Sequence, residues 1–115
     1  MVKTVTATYG AGLRDWIFQR LSAIYMAFYT LFLFLYVVSH PHLSFAEWHM
    51  LFSYTWIKVS TLIFLLSLLI HAWVGMWTIF TDYIHQAVIR SILNVLVLLT
   101  LLASFFWGLL IIGSV

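Results

Sequence analysis

Apolar positions fall in three blocks, each long enough to cross a bilayer, and the charged positions crowd into the gaps between them. No Lys, Arg, Asp or Glu occurs from Leu21 to Ala46, from Val59 to Thr81 or from Ser91 to Val115. A helix needs ~20 residues to cross a hydrocarbon core of about 30 Å. The pattern therefore predicts an all-α integral membrane protein of one domain (1–115), with transmembrane helices over about 21–39, 59–81 and 91–112. Residues 1–20 form an N-terminal segment in which Tyr9-Gly10-Ala11-Gly12 predicts a flexible turn. His40-Pro41 stops the first helix, because proline cannot continue the hydrogen-bond ladder. The 40–58 loop holds Ser44-Phe45-Ala46-Glu47, a capping-box pattern that predicts a short interfacial helix, with Trp48, Tyr54 and Trp56 at headgroup level. A second loop covers 82–90.

Composition sharpens this reading. Of 115 residues, 65% are hydrophobic and 7% charged, against roughly 25% charged in soluble domains. With no cysteine there is no disulfide, thiolate nucleophile or iron–sulfur ligand. Five basic residues are too few for a nucleic-acid surface, and the first apolar run is too long for a cleaved signal peptide. Lys3, Arg14, Arg20 and Arg90 share one side of a three-span topology, against Lys58 alone on the other. The positive-inside rule then puts the N-terminus and the 82–90 loop in the cytoplasm and the 40–58 loop and C-terminus in the periplasm or its equivalent.

Inside the three spans the sole ionisable side chain of the Asp, Glu, Lys, Arg and His set is His71. An imidazole in hydrocarbon is costly and is read first as a functional group in need of a partner. At about 100° per residue, Ser60, Phe64, Ser67, Gly75, Thr78 and Asp82 all lie within roughly 40° of His71. Trp73, Trp77 and Phe80 lie opposite. The stripe is expected to face protein or a cofactor, with Gly75 leaving space for a flat macrocycle against the helix. Three roles stay open for His71: a hydrogen bond to a neighbouring helix, a metal or haem ligand, or a proton relay. His40, His42, His49 and His85 lie in or beside loops, so a haem with two histidine ligands would need its second from another chain. Further along, the Tyr83 phenol suits a quinone carbonyl, and Asp82 ends a helix whose dipole disfavours negative charge, which suits proton uptake. Ala23 with Ala27, and Ser104 with Gly108, are small-residue pairs that permit close helix approach. Asn94 is expected to find a polar partner within the bundle.

His71-Ala72-Trp73-Val74-Gly75-Met76-Trp77, followed by Thr81-Asp82-Tyr83, closely resembles the second helix of the hydrophobic membrane-anchor subunits of bacterial succinate dehydrogenase, respiratory complex II. The length, the three spans and Arg20 at the entrance to the first are similar too. The resemblance implies half of a heterodimeric helical anchor bundle, paired with a second three-helix cytochrome b anchor subunit in the bacterial inner membrane. It implies docking of an iron–sulfur subunit and a flavoprotein subunit, and is compatible with a trimer of such heterotetramers. It implies an anchor with no catalytic centre of its own, in a complex that passes electrons from succinate to ubiquinone and so links the tricarboxylic acid cycle to aerobic respiration.

On the matching positions, His71 would be an axial ligand of haem b. Tyr83 would contact ubiquinone, with Asp82 in the proton supply and Arg20 near the haem propionates or the quinone. His85-Gln86 departs from the Lys-Pro pair expected of the family. The competing functional class is a small homo-oligomeric proton or ion channel with His71 as its relay. A purely structural anchor, in which His71 only bridges helices, is the third.

Overall fold

The computed structural model describes the backbone from Val2 to Val115 and side chains from Gly12 onward. Lys3, counted in the charge asymmetry, falls outside the described side chains. The chain forms α1 (Val2–Ser39), α2 (Phe45–Ser53), α3 (Thr55–Tyr83) and α4 (Ala87–Gly113). Gly12–Ser39, Thr55–Tyr83 and Ala87–Gly113 are each long and apolar enough to cross a membrane. The 29 residues of α3 extend about 43 Å at 1.5 Å per residue, so its ends emerge from a core of about 30 Å.

Two boundaries differ from the sequence reading. The turn expected at Tyr9–Gly12 is helical, because α1 runs unbroken from Val2. Gly10 and Gly12 cost a helix something, but without proline they do not end one. The second link is also shorter than expected: α3 continues through Asp82 and Tyr83, and α4 begins at Ala87.

Local chemistry accounts for the other boundaries. α1 stops at Ser39, ahead of Pro41, and the His40 ring folds back so that Nδ1 bonds the Tyr36 carbonyl at 2.8 Å. That satisfies one of the carbonyls a helix end leaves open. Ser44 caps α2, its Oγ accepting from Glu47 N at 3.2 Å. Past α3, Arg90 reaches back from the first turn of α4 and donates to the Ile84 carbonyl at 3.4 Å.

α3 is the middle helix, with α1 and α4 packed on it and α2 folded against it. The N-terminal half of α1, the end of α3 and the start of α4 therefore share one end of the bundle. The links 40–44 and Tyr54 lie at the other, where Lys58 Nζ donates to the Val115 carbonyl at 3.1 Å. Seven described residues are buried: Ser22, Tyr29, Leu51, Ile57, Thr61, Phe80 and Ile112. So thin a core leaves most large apolar side chains facing outward, as lipid or partner helices require. Phe80 was expected to face away from the bundle, yet only 8% of it is exposed. A central helix has neighbours on two faces, so a single polar stripe does not define all of its buried positions.

Candidate functional site

Small and polar residues spaced at three, three and four positions on α1 (Gln19, Ser22, Tyr25, Tyr29) form the helix face that meets α3. Near mid-membrane, Ser22 Oγ lies 3.2 Å from His71 Nδ1. One turn earlier, the Gln19 amide donates to the His71 carbonyl at 3.3 Å. Further toward the other end, the Tyr25 hydroxyl donates to the Ser60 carbonyl at 2.6 Å. Tyr29 packs on Phe64, with ring centroids 4.6 Å apart. Its hydroxyl meets Thr61 Oγ1 at 2.5 Å, and Thr61 Oγ1 itself donates to the Ile57 carbonyl at 2.8 Å. Thr61 has one hydroxyl hydrogen, so Tyr29 is the donor in this pair.

The α3 stripe thus faces protein through Ser60, Phe64, His71 and Gly75, while Thr78 and Asp82 are exposed. Gly75 corrects the expectation of free space beside the imidazole. A Cβ there would sit 3.5 Å from Gln19 Nε2, so α1 occupies the side where a macrocycle was expected. The open space is instead on the adjoining flank, a groove of about 530 Å³ lined by Ala23, Met26, Ala27, Thr30, Phe34 and His71 among others. Ala23 and Ala27 are exposed along that groove. They form the floor of that groove, where their small side chains leave room beside the ring. On the other flank of α1, a second hollow of about 410 Å³ is lined by Asp15, Phe18, Ile70, Trp73, Val74 and Trp77.

His71 is half-buried, and its Nδ1 is engaged by Ser22. No protein group among the described residues bonds Nε2. These residues suit a flat iron macrocycle: one imidazole is anchored through one nitrogen, its other nitrogen is uncommitted, and a shallow apolar groove with alanines adjoins it. Metal-bound histidines are typically held this way, by a hydrogen bond at the non-ligating nitrogen. Among the described residues no three His, Cys, Asp or Glu converge.

The remaining sequence candidates stand apart from the imidazole. Tyr83 is the last residue of α3 and 78% exposed. Asp82 is exposed beside it. Twelve positions from His71 to Tyr83 amount to about 18 Å along the helix axis. Arg20 is exposed, its guanidinium 5.4 Å above the Trp16 ring. His85 is exposed in the link before α4. Tyr83, Asp82 and His85 share one end of the bundle, whereas Arg20, next to Gln19, lies near the level of His71 on the exposed side of α1, and none contacts His71.

Gln19, Ser22, Tyr25, Tyr29 and Thr61 were not singled out from the sequence. Their signal was present as polar groups at helical spacing on α1, matching the stripe on α3. Asn94, by contrast, does not find the partner expected of it: its Oδ1 is buried without a hydrogen bond among the described residues, as is Gln19 Oε1.

Comparison with known proteins agrees with this architecture. The family described as "Succinate dehydrogenase/Fumarate reductase transmembrane subunit" matches residues 3–111. A curated protein of Coxiella burnetii (strain RSA 493 / Nine Mile phase I), named "Succinate dehydrogenase hydrophobic membrane anchor subunit", is 43% identical over 104 residues, covering 90% of each chain. A three-span helical chain that matches along almost its whole length belongs to the succinate dehydrogenase/fumarate reductase transmembrane subunits, as a membrane anchor within that oxidoreductase complex.

Proposed function

We propose that this anchor supplies one axial ligand, His71 Nε2, to a b-type haem at its seam with a second three-helix anchor subunit, together with part of a ubiquinone-reduction site. The observation that carries the reading is the division of labour in the imidazole: Nδ1 is held by Ser22 at 3.2 Å, Nε2 has no hydrogen-bond partner among the described residues, and His71 lines an open groove. A histidine serving only to bridge helices needs no vacant flank. The haem, when bound, supplies a one-electron redox centre. The chain's own work is to hold the ring at fixed height and angle and to exclude water from it.

At the end of α3, the exposed Tyr83 phenol donates a hydrogen bond to a quinone carbonyl, and its ring packs on the apolar head group. Asp82 feeds protons toward the reduced carbonyl oxygens, two per quinone alongside two electrons. Arg20, one residue from Gln19 and exposed on α1, provides positive charge for propionates or the quinone. A flavoprotein and an iron–sulfur subunit dock at this end, placing it in the cytoplasm of a bacterial inner membrane, with electrons running from succinate to ubiquinone. The Lys/Arg asymmetry supports that sidedness.

The test is a reduced-minus-oxidised optical spectrum of the purified complex. His71→Ala is expected to abolish the low-spin b-type signal while the flavin and iron–sulfur signals persist. An unchanged haem spectrum refutes the assignment.

A further inference from the structure

Ser22 is one of two polar residues among the seven buried, with 6% of its surface exposed. Its hydroxyl makes two contacts: it donates to the Gln19 carbonyl at 3.1 Å and lies 3.2 Å from His71 Nδ1. A backbone carbonyl can only accept, and serine has one hydroxyl hydrogen. With that hydrogen directed at Gln19, the oxygen presents lone pairs to His71, so the imidazole must be the donor. The hydrogen bonds then run in one sense, from His71 Nδ1–H to Ser22 Oγ–H to the Gln19 carbonyl.

Resting on the haem reading above, we infer that Ser22, oriented by the Gln19 carbonyl, is a positioning residue that fixes His71 in its Nδ1–H tautomer and delivers Nε2 as the ligating nitrogen. The same turn of α1 grips His71 a second time, through the Gln19 amide on its carbonyl at 3.3 Å. One contact therefore sets the ring and the other sets the backbone that carries it. Because the acceptor at Nδ1 is a neutral hydroxyl, it lends the ligand only modest extra basicity. A carboxylate in its place would lend more.

Removing the acceptor weakens the imidazole as a donor and lets the ring turn. Loss of such outer partners typically costs 10–100-fold in metal affinity, and the ferric form, which depends more on ligand basicity, loses more. In the purified complex, Ser22→Ala is expected to raise the haem midpoint potential. A tenfold preferential loss from the ferric form corresponds to about 59 mV for one electron. The low-spin electron paramagnetic resonance g-values should shift with the ring angle. Ser22→Thr keeps the hydroxyl and a back-bond to the preceding turn, and should restore both potential and spectrum.

Gln19→Leu removes the backbone grip alone. It should lower thermal stability and shift the potential much less than Ser22→Ala does, because the acceptor at Nδ1 remains. Equal shifts in Ser22→Ala and Gln19→Leu would mean Ser22 is merely structural and would overturn the inference. So would a Ser22→Ala potential and spectrum identical to wild type in a complex whose haem is lost in His71→Ala. A complex whose haem persists in His71→Ala removes the haem reading itself, and the Ser22 assignment with it.

Discussion

The two faces of α3 are joined to their neighbours by opposite chemistry. Toward α1, four side-chain hydrogen bonds cross the seam: Gln19 and Ser22 to His71, Tyr25 to Ser60 and Tyr29 to Thr61. Toward α4, the mid-membrane contact is apolar. Gly108 lies against Leu65, where a Cβ would come 2.7 Å from Leu65 Cδ1, and Leu65, Leu68, Leu69, Leu101, Ser104 and Phe105 line a void of about 60 Å³. Lipid tails are as apolar as leucine, so close packing rather than water exclusion holds such a seam. Each bond of the polar seam adds only modestly to helix association, since interhelical hydrogen bonds in membranes average about 0.6 kcal/mol. Its more informative consequence is direction: it fixes where rings and lone pairs point.

Mutations should separate the two seams by what they damage. The largest effect is expected for His71→Ala, with essentially complete loss of the b-type signal in the optical spectrum. The accompanying stability change should be small, because a single interhelical bond is lost. Gly108→Leu reverses that profile. Overpacking against Leu65 should cost about 1–3 kcal/mol, read as a lower unfolding temperature of the complex, while the haem that remains keeps its spectrum. A haem potential shifted by Gly108→Leu would show that the seams are coupled.

Tyr83→Phe lies beyond both seams and should leave stability untouched. It removes one neutral hydrogen bond to the quinone, worth about 1 kcal/mol. Quinone reduction should therefore slow by roughly 5–10-fold, while succinate oxidation with an artificial acceptor continues. Loss of both activities would point to a docking defect. Smallest of the four, Thr61→Val deprives the Tyr29 hydroxyl of its acceptor and should cost about 0.6 kcal/mol, at most ~1.7. The unfolding midpoint checks this, with no change expected in the haem.

The spans were legible because charge is excluded from hydrocarbon and the gaps between charges count out its thickness. His71 was legible for the same reason: an imidazole stands out where no other ionisable group is tolerated. The stop at Pro41 and the start at Ser44 were equally plain, since each acts on the backbone within a few residues. The helical course of Tyr9–Gly12 was not, because glycine weakens a helix without breaking it.

What three-dimensional packing alone decided is which flank of each helix is taken. Gly75 and the Ala23/Ala27 pair are both small-residue signals at helical spacing. Yet Gly75 receives Gln19 at 3.5 Å from where its Cβ would be, while the alanines remain open beside His71. Periodicity sorts side chains around one axis, but the rotation of α1 against α3 depends on the sum of many contacts along both. The same is true of Asn94 and Gln19, whose buried oxygens lack a partner within the described residues. Sequence thus determined that an imidazole would sit in the membrane on a polar stripe. Only the docking of α1 determined which of its nitrogens is held, because a hydrogen bond has a direction that residue spacing does not encode.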